Sequence, residues 1–268
     1  MKHLLLSTLL ALTATATCAE DLPQGMAGAD VVFLGEIHDN PHHHARQADL
    51  TAALQPAAIV FEMLTPEQAA LASDEMRQDL TALEIALDWE NTGWPDFAMY
   101  GPLFQVAPEA RIYGAAVLRE EASRVMSEGA AVVFGPDAGE YGLDQPLPET
   151  QQQAREEAQL AAHCDAMPME MMGMMVDFQR LRDASLARVA HQAFTETGGP
   201  VVVITGNGHA RMDHGAPYVL TQADSTVKQY SFGQYELEAG ERAAVQFVSW
   251  EITEAIERPD PCEAFAGN

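Results

Sequence analysis

Seven short runs rich in Val, Ile and Phe recur along this chain, separated by stretches with helical spacing. A strand covered on both faces of a mostly parallel sheet is an almost unbroken apolar run, and parallel neighbours need a long crossover, usually a helix, between them. The succession therefore predicts an α/β fold, a mostly parallel sheet with flanking helices. The expected strands are Asp30 to Leu34, Ala58 to Glu62, Arg111 to Val117, Ala130 to Phe134, Pro200 to Thr205, Val227 to Phe232 and Ala244 to Trp250. The last two alternate apolar and polar residues, which predicts an antiparallel edge. Helices are expected over His43 to Leu54, Pro66 to Leu87, Arg119 to Ser127, Glu149 to Ala162 and about Glu170 to Thr195. Thr65-Pro66-Glu67-Gln68 gives the second a capping box with proline at its first position. Residues 20–268 are expected to form one α/β domain with helical insertions around 64–105 and 136–176.

Residues 1–19 are expected to be a secretory signal peptide, since Lys2 precedes the apolar run Leu4 to Leu12 and small residues follow up to Ala19. The run falls short of the roughly 20 apolar residues of a spanning helix. The mature protein is therefore expected to be exported and periplasmic, either soluble or lipid-anchored through an acylated Cys18. That leaves Cys164 and Cys262, a pair that in an oxidising compartment is most simply a disulfide. Metal ligation by Cys164 with the adjacent His163 is the alternative, with no CxxC spacing behind it. The 40 acidic residues against 14 basic ones exclude a nucleic-acid partner and disfavour an anionic membrane surface, because both attractions need clustered Lys and Arg.

Three of the expected strands run straight into polar residues that are costly to bury. Val31 to Leu34 leads into Gly35-Glu36-Ile37-His38-Asp39, Ile59 to Phe61 into Glu62, and Val201 to Thr205 into Gly206-Asn207-Gly208-His209. Ligands of open α/β sheets bind beyond the carboxyl ends of the strands, so Glu36, His38, Glu62 and His209 are expected to meet there. Two imidazoles and two carboxylates suit a first-row divalent metal with an open position. They equally suit general acid–base work, because clustered carboxylates push one another's pKa apart. One histidine at a strand end is more often a hydrogen-bonded core or capping residue, but two copies of Gly-x-x-His directly after apolar strands favour a site. His42-His43-His44 follows Asn40-Pro41 at a helix start, where His43 and His44 lie within reach of the first strand's end or form a solvated face.

Six of the 13 methionines fall between Met167 and Met175. Copper, a pocket lining and plain core all suit such a run, although consecutive residues around a helix cannot all meet one metal. Further along that helix, Gln179, Arg182, Asp183 and Leu186 share a face, which predicts support for the strand-end cluster from behind. The aromatic segment Asp88 to Pro95 is expected to be a turn, either a minor core or a lid over a ligand. No Gly-x-Ser-x-Gly elbow, Walker loop or dinucleotide fingerprint occurs.

Gly35-Glu36-Ile37-His38-Asp39-Asn40-Pro41-His42-His43-His44, Trp94-Pro95-Asp96-Phe97 with Tyr100 and Pro102, Gln179-Arg180-Leu181-Arg182-Asp183 and Gly206-Asn207-Gly208-His209-Ala210-Arg211 occur in that order. Together they resemble the ChaN-like haem-binding uptake family, over nearly the whole mature chain. The paired Gly-x-x-His elements are also similar to those of the wider Tiki and erythromycin-esterase superfamily, which includes metal hydrolases. The resemblance implies an exported protein, often a lipoprotein, that binds haem for iron acquisition, in the best-known case as a cofacial pair between two subunits with tyrosine ligation. A homodimer is thus implied. Tyr100 is the preferred axial candidate, with Tyr113 and Tyr141 as competitors and His43 or His44 as the imidazole alternatives. Arg211, Arg182 or Arg119 would meet the propionates and offset the acidity locally. The alternative function is a metal-dependent hydrolase built on Glu36, His38, Glu62 and His209.

Overall fold

Among the residues described by the computed structural model, 22–236, 246–260 and 262–263, six strands form one sheet. They are β1 Val31–Glu36, β2 Ala58–Phe61, β3 Arg111–Gly114, β4 Val201–Gly206, β5 Gln229–Glu236 and β6 Ser249–Thr253, in the spatial order β3-β2-β4-β1-β5-β6. Every pairing is parallel. The expected signal peptide with Cys18, and the first two residues of the strand expected over Ala244 to Trp250, lie outside the described residues.

The helices are α1 Pro41–Leu54, α2 Pro66–Leu71, α3 Leu80–Ala86, α4 Phe97–Tyr100, α5 Arg119–Glu128, α6 Ala130–Phe134, α7 Glu149–Ala162, α8 Met172–Thr197 and α9 Ala216–Ala223. Because side chains alternate along a strand, the sheet splits its apolar residues between two cores. Val32, Leu34, Ile59, Phe61, Val202 and Ile204 face one side with residues of α1 to α4. Val31, Phe33, Ala58, Val60, Val201 and Val203 face the other with residues of α5, α6, α8 and α9. β1 and β4 are buried at every position, which is why both are unbroken apolar runs in the sequence. No helix among the described residues is long and apolar enough to cross a membrane.

Three expectations are corrected. The expected strand Ala130 to Phe134 is the helix α6, bracketed by Gly129 and Gly135 at φ +84° and +101°. Ala130 and Phe134, four residues apart, are buried while Val132 is exposed, a helical pattern that a short apolar run does not reveal. The final two strands pair in parallel, and no antiparallel edge occurs among the described residues. Their alternation reflects β6 having one face in solvent, which says nothing about the direction of its neighbour. The long helix expected over Pro66 to Leu87 is broken into α2, a 3-10 turn at Met76–Gln78 and α3. Asp79 takes the role of N-cap, its carboxylate accepting from the Ala82 N–H at 3.0 Å, and so starts a new helix where an interior residue was expected. The capping box at Thr65 and Gln68 forms as expected.

Cys164 and Cys262 are bonded, with Cα atoms 5.5 Å apart. The bond clasps the carboxyl-terminal segment to the turn that follows α7. It closes a span of 98 residues, for which the loss of chain entropy in the unfolded state predicts roughly 2–5 kcal/mol of stabilisation. Cys262→Ser is expected to lower the urea midpoint by a corresponding amount, and reductant should lower the wild type to the same value while leaving the variant unmoved.

Candidate functional site

The carboxyl ends of β2, β4 and β1 lie side by side, and each delivers a polar group into the same space. Glu62, one residue past β2, is buried. Its Oε2 accepts from the Thr205 hydroxyl at 2.6 Å and from the Gly206 N–H at 2.8 Å, both on neighbouring β4, and its Oε1 accepts from Arg182 of α8 at 3.0 Å. His209 Nε2 lies 3.7 Å from the same Oε1. Burial alone would raise the Glu62 pKa, but His209, Arg182, His38 and the Thr205 hydroxyl outweigh it and hold the carboxyl at about 2. His209 is oriented from behind by Asp183 of α8, whose Oδ1 lies 2.6 Å from Nδ1. Arg182 and Asp183 thus do what their shared helix face suggested.

Glu36, at the end of β1, organises a second group. Its Oε1 accepts from the Tyr100 hydroxyl at 2.8 Å and pairs with His38 Nδ1 at 2.7 Å. Burial opposes charge on His38, yet the Glu36 hydrogen bond and the charges of Glu62 and Glu36 raise its pKa above the usual histidine value. The His38 ring meets Trp94 edge-on, with centroids 4.9 Å apart. Its Nε2 lies over Gly206, where an added Cβ would come within 2.7 Å of it. The glycine at this strand end therefore makes room for an imidazole. Trp94 is placed by the turn after Trp89, whose indole N–H donates to the Pro95 carbonyl at 2.8 Å.

The remaining site candidates are placed differently. His43 and His44 are buried on α1, which starts at the Asn40 cap. His43 Nδ1 accepts from the Ile37 N–H at 2.8 Å, and Nε2 lies 2.9 Å from the Thr253 hydroxyl. Burial and the neighbouring His44 push its pKa down to about 4, so the ring is neutral. His44 Nε2–H donates to the His38 carbonyl at 2.8 Å, and its ring packs on Tyr100 at 4.3 Å. Tyr100 is wholly buried, and burial together with Glu36 raises its pKa. These three residues support the strand end from within the core and are not among the residues lining the cavity that Glu36, His38, Glu62 and His209 share.

Glu36, His38, Glu62 and His209 all line one cavity of about 800 Å³, together with Trp94, Val176, Arg155, Arg182, Arg211 and His214. None of the six tyrosines and none of the methionines is among its lining residues. Met172 belongs to the core, whereas Met169 and Met171 are exposed. Arg211 reaches the rim but is held by Asp213 through two hydrogen bonds of 2.8 and 2.6 Å. Thr205, Arg155 and His214 were not singled out in the sequence. Thr205 was readable as the last polar residue of an apolar strand, while Arg155 and His214 carry no local signal.

The donor set does not fit a divalent metal. Both oxygens of Glu62 are taken by Arg182, Thr205 and Gly206, and Glu36 Oε1 is taken by Tyr100 and His38. Among the described residues no group of three or more His, Cys, Asp and Glu side chains is arranged to hold a metal ion. What the geometry presents is two imidazoles, each with Nδ1 fixed by a carboxylate and Nε2 without a hydrogen-bond partner among the described residues.

The family model described as "Haem-binding uptake, Tiki superfamily, ChaN" matches residues 22–220, and the chain belongs to this family. No curated protein matches the chain. Among solved structures, one entitled "Cofacial heme binding to ChaN of Campylobacter jejuni" shares the fold at 20% identity, covering 80% of this chain and 84% of that one, with a TM-score of 0.61. The erythromycin esterase EreC, as a mutant in its open conformation, aligns at 14% identity over 78% of this chain and 71% of its own, with a TM-score of 0.44.

The depressed Glu62 pKa has a pH signature. A carboxyl held at about 2 against an ordinary 4.5 contributes stability that is complete above pH 4.5 and is lost as the pH falls through 2. The linked free energy is on the order of 3 kcal/mol. Glu62→Gln should therefore unfold with a shallower dependence on pH between 4.5 and 2 than the wild type, as followed by circular dichroism in urea.

Proposed function

We propose that this chain is an exported haem-binding protein of haem or iron acquisition. The observation that carries the reading is the cavity at the sheet edge in a chain of the haem-binding uptake family. Its volume of about 800 Å³ falls within the range of small-molecule sites. Trp94, Val176, Ala154 and Ala158 offer apolar surface to a porphyrin, and Arg155 offers its carboxylates a guanidinium with no carboxylate partner among the described residues. Iron in haem accepts imidazole or phenolate. His38 is the imidazole best arranged for it: Glu36 holds Nδ1, the side chain is 35% exposed, and Nε2 has no hydrogen-bond partner among the described residues. A carboxylate behind a ligating histidine fixes its tautomer and raises its basicity. Tyr100 is a poor ligand here, because its proton is held by Glu36 and burial disfavours the phenolate. Export is supported by the leader-like residues 1–19 and by the disulfide.

Titration with hemin should give a saturable Soret band shifted from that of free hemin; a featureless titration would sink the proposal. His38→Ala should move the band and weaken retention at least tenfold. Tyr100→Phe should leave the band in place while costing about 1–2 kcal/mol of stability, since Glu36 loses a buried donor.

A second reading, hydrolysis without a metal, is favoured by the Asp183–His209 pair. An imidazole oriented through Nδ1 by a buried carboxylate is built to take a proton from water as it attacks a carbonyl. A panel of activated esters should then show turnover that His209→Ala abolishes while hemin binding persists. Absence of turnover across the panel leaves haem binding alone.

A further inference from the structure

Among the described residues α7 contributes a whole face to the cavity and nothing to the core. Gln151, Ala154, Arg155, Ala158 and Gln159 line the cavity at spacings of i, i+3, i+4, i+7 and i+8, and no residue of α7 is fully buried. A helix normally turns its apolar stripe inward. Here the inward stripe consists of two glutamines and an arginine around two alanines, while Gln152–Glu156 and Gln153–Glu157 satisfy each other along the flanks at 2.7 and 2.8 Å.

The three arginines of the cavity differ in one respect. Arg182 is paired with Glu62 and Arg211 with Asp213. Arg155 has no carboxylate partner among the described residues: one NH2 group donates to the His214 carbonyl at 3.2 Å, and its buried Nε has no partner. An unpaired guanidinium nitrogen shielded from solvent is costly, and burial pulls the Arg155 pKa down accordingly. The planar fork of arginine matches a carboxylate through two parallel hydrogen bonds.

We propose that the cavity face of α7 is the recognition surface for the carboxylates of the ligand, with Arg155 as their anchor, Gln151 and Gln159 flanking it, and Ala154 and Ala158 letting a flat ring lie close. This rests on the haem reading and adds to it which element selects the anionic edge of the porphyrin. The disulfide at Cys164, two residues beyond the end of α7, holds that element in place.

The test compares hemin with its dimethyl ester, which keeps the iron and the ring but carries no carboxylate. The full-length wild type should bind hemin at least tenfold more tightly than the ester. Arg155→Gln should lose that preference by weakening hemin and leaving the ester unchanged, and Arg155→Lys should restore part of it. Equal wild-type affinity for the two ligands overturns the assignment while haem binding stands, as does an Arg155→Gln variant that weakens both ligands equally or neither. Failure of the wild type to bind either ligand removes the haem reading and this assignment with it.

Discussion

The buried carboxylate of Glu62 is the constraint around which the strand ends are arranged. An isolated carboxylate withdrawn from water costs several kcal/mol even after the protein relaxes, and it is tolerated only where its lone pairs are met. Glu62 meets that condition by drawing on β4 through Thr205 and Gly206, on α8 through Arg182, and on the loop after β4 through His209. One side chain thereby ties together the two central elements of one half of the sheet and the helix that covers them. Any shift of α8 along its axis would draw Arg182 away from Glu62 and Asp183 away from His209 at once.

Glu36 plays the corresponding part on β1, but its partners differ in kind. It is approached by Tyr100 from one core and by His38 from the cavity side. Through Glu36 the hydrophobic packing of α4 is connected to the orientation of an imidazole that faces the cavity. His38 then depends on two unrelated features: a carboxylate that holds its Nδ1, and a glycine on β4 that leaves space for its ring. This is a supporting shell of the kind that keeps a binding group within a narrow range of geometry.

The overall charge of -26 would repel an anionic ligand at long range. At physiological ionic strength such repulsion is screened beyond about 8 Å, so the local composition of the cavity decides. There Arg182 and Arg211 are already matched by carboxylates, whereas Arg155 has no carboxylate hydrogen-bonded to it among the described residues. Among the described residues the acidic side chains other than Glu36, Glu62 and Asp183 are at least partly exposed, and net charge on a surface favours solubility.

The parallel sheet and the meeting of Glu36, His38, Glu62 and His209 were legible in the sequence, because a strand covered on both faces must be apolar until the residue where it emerges at the ligand edge. The bonding of Cys164 to Cys262 was legible too, because the leader-like start of the chain led to the expectation of an oxidising compartment, in which a pair of thiols is most simply a disulfide. The roles of His43, His44 and Tyr100 were not legible. They lie near the site in sequence, but the rotation of α1 about its axis and the depth of α4 turn them into the core, and both are set by packing against β1. The direction of β6 escaped for a related reason: alternation records which face is wet, while direction depends on the path of the connection. Arg155 escaped altogether, because nothing in Gln151 to Gln159 says where α7 lies. Only its packing beside α8, across the edge of the sheet, converts a polar helix face into a wall of the cavity, and that placement comes from contacts between residues far apart in the chain.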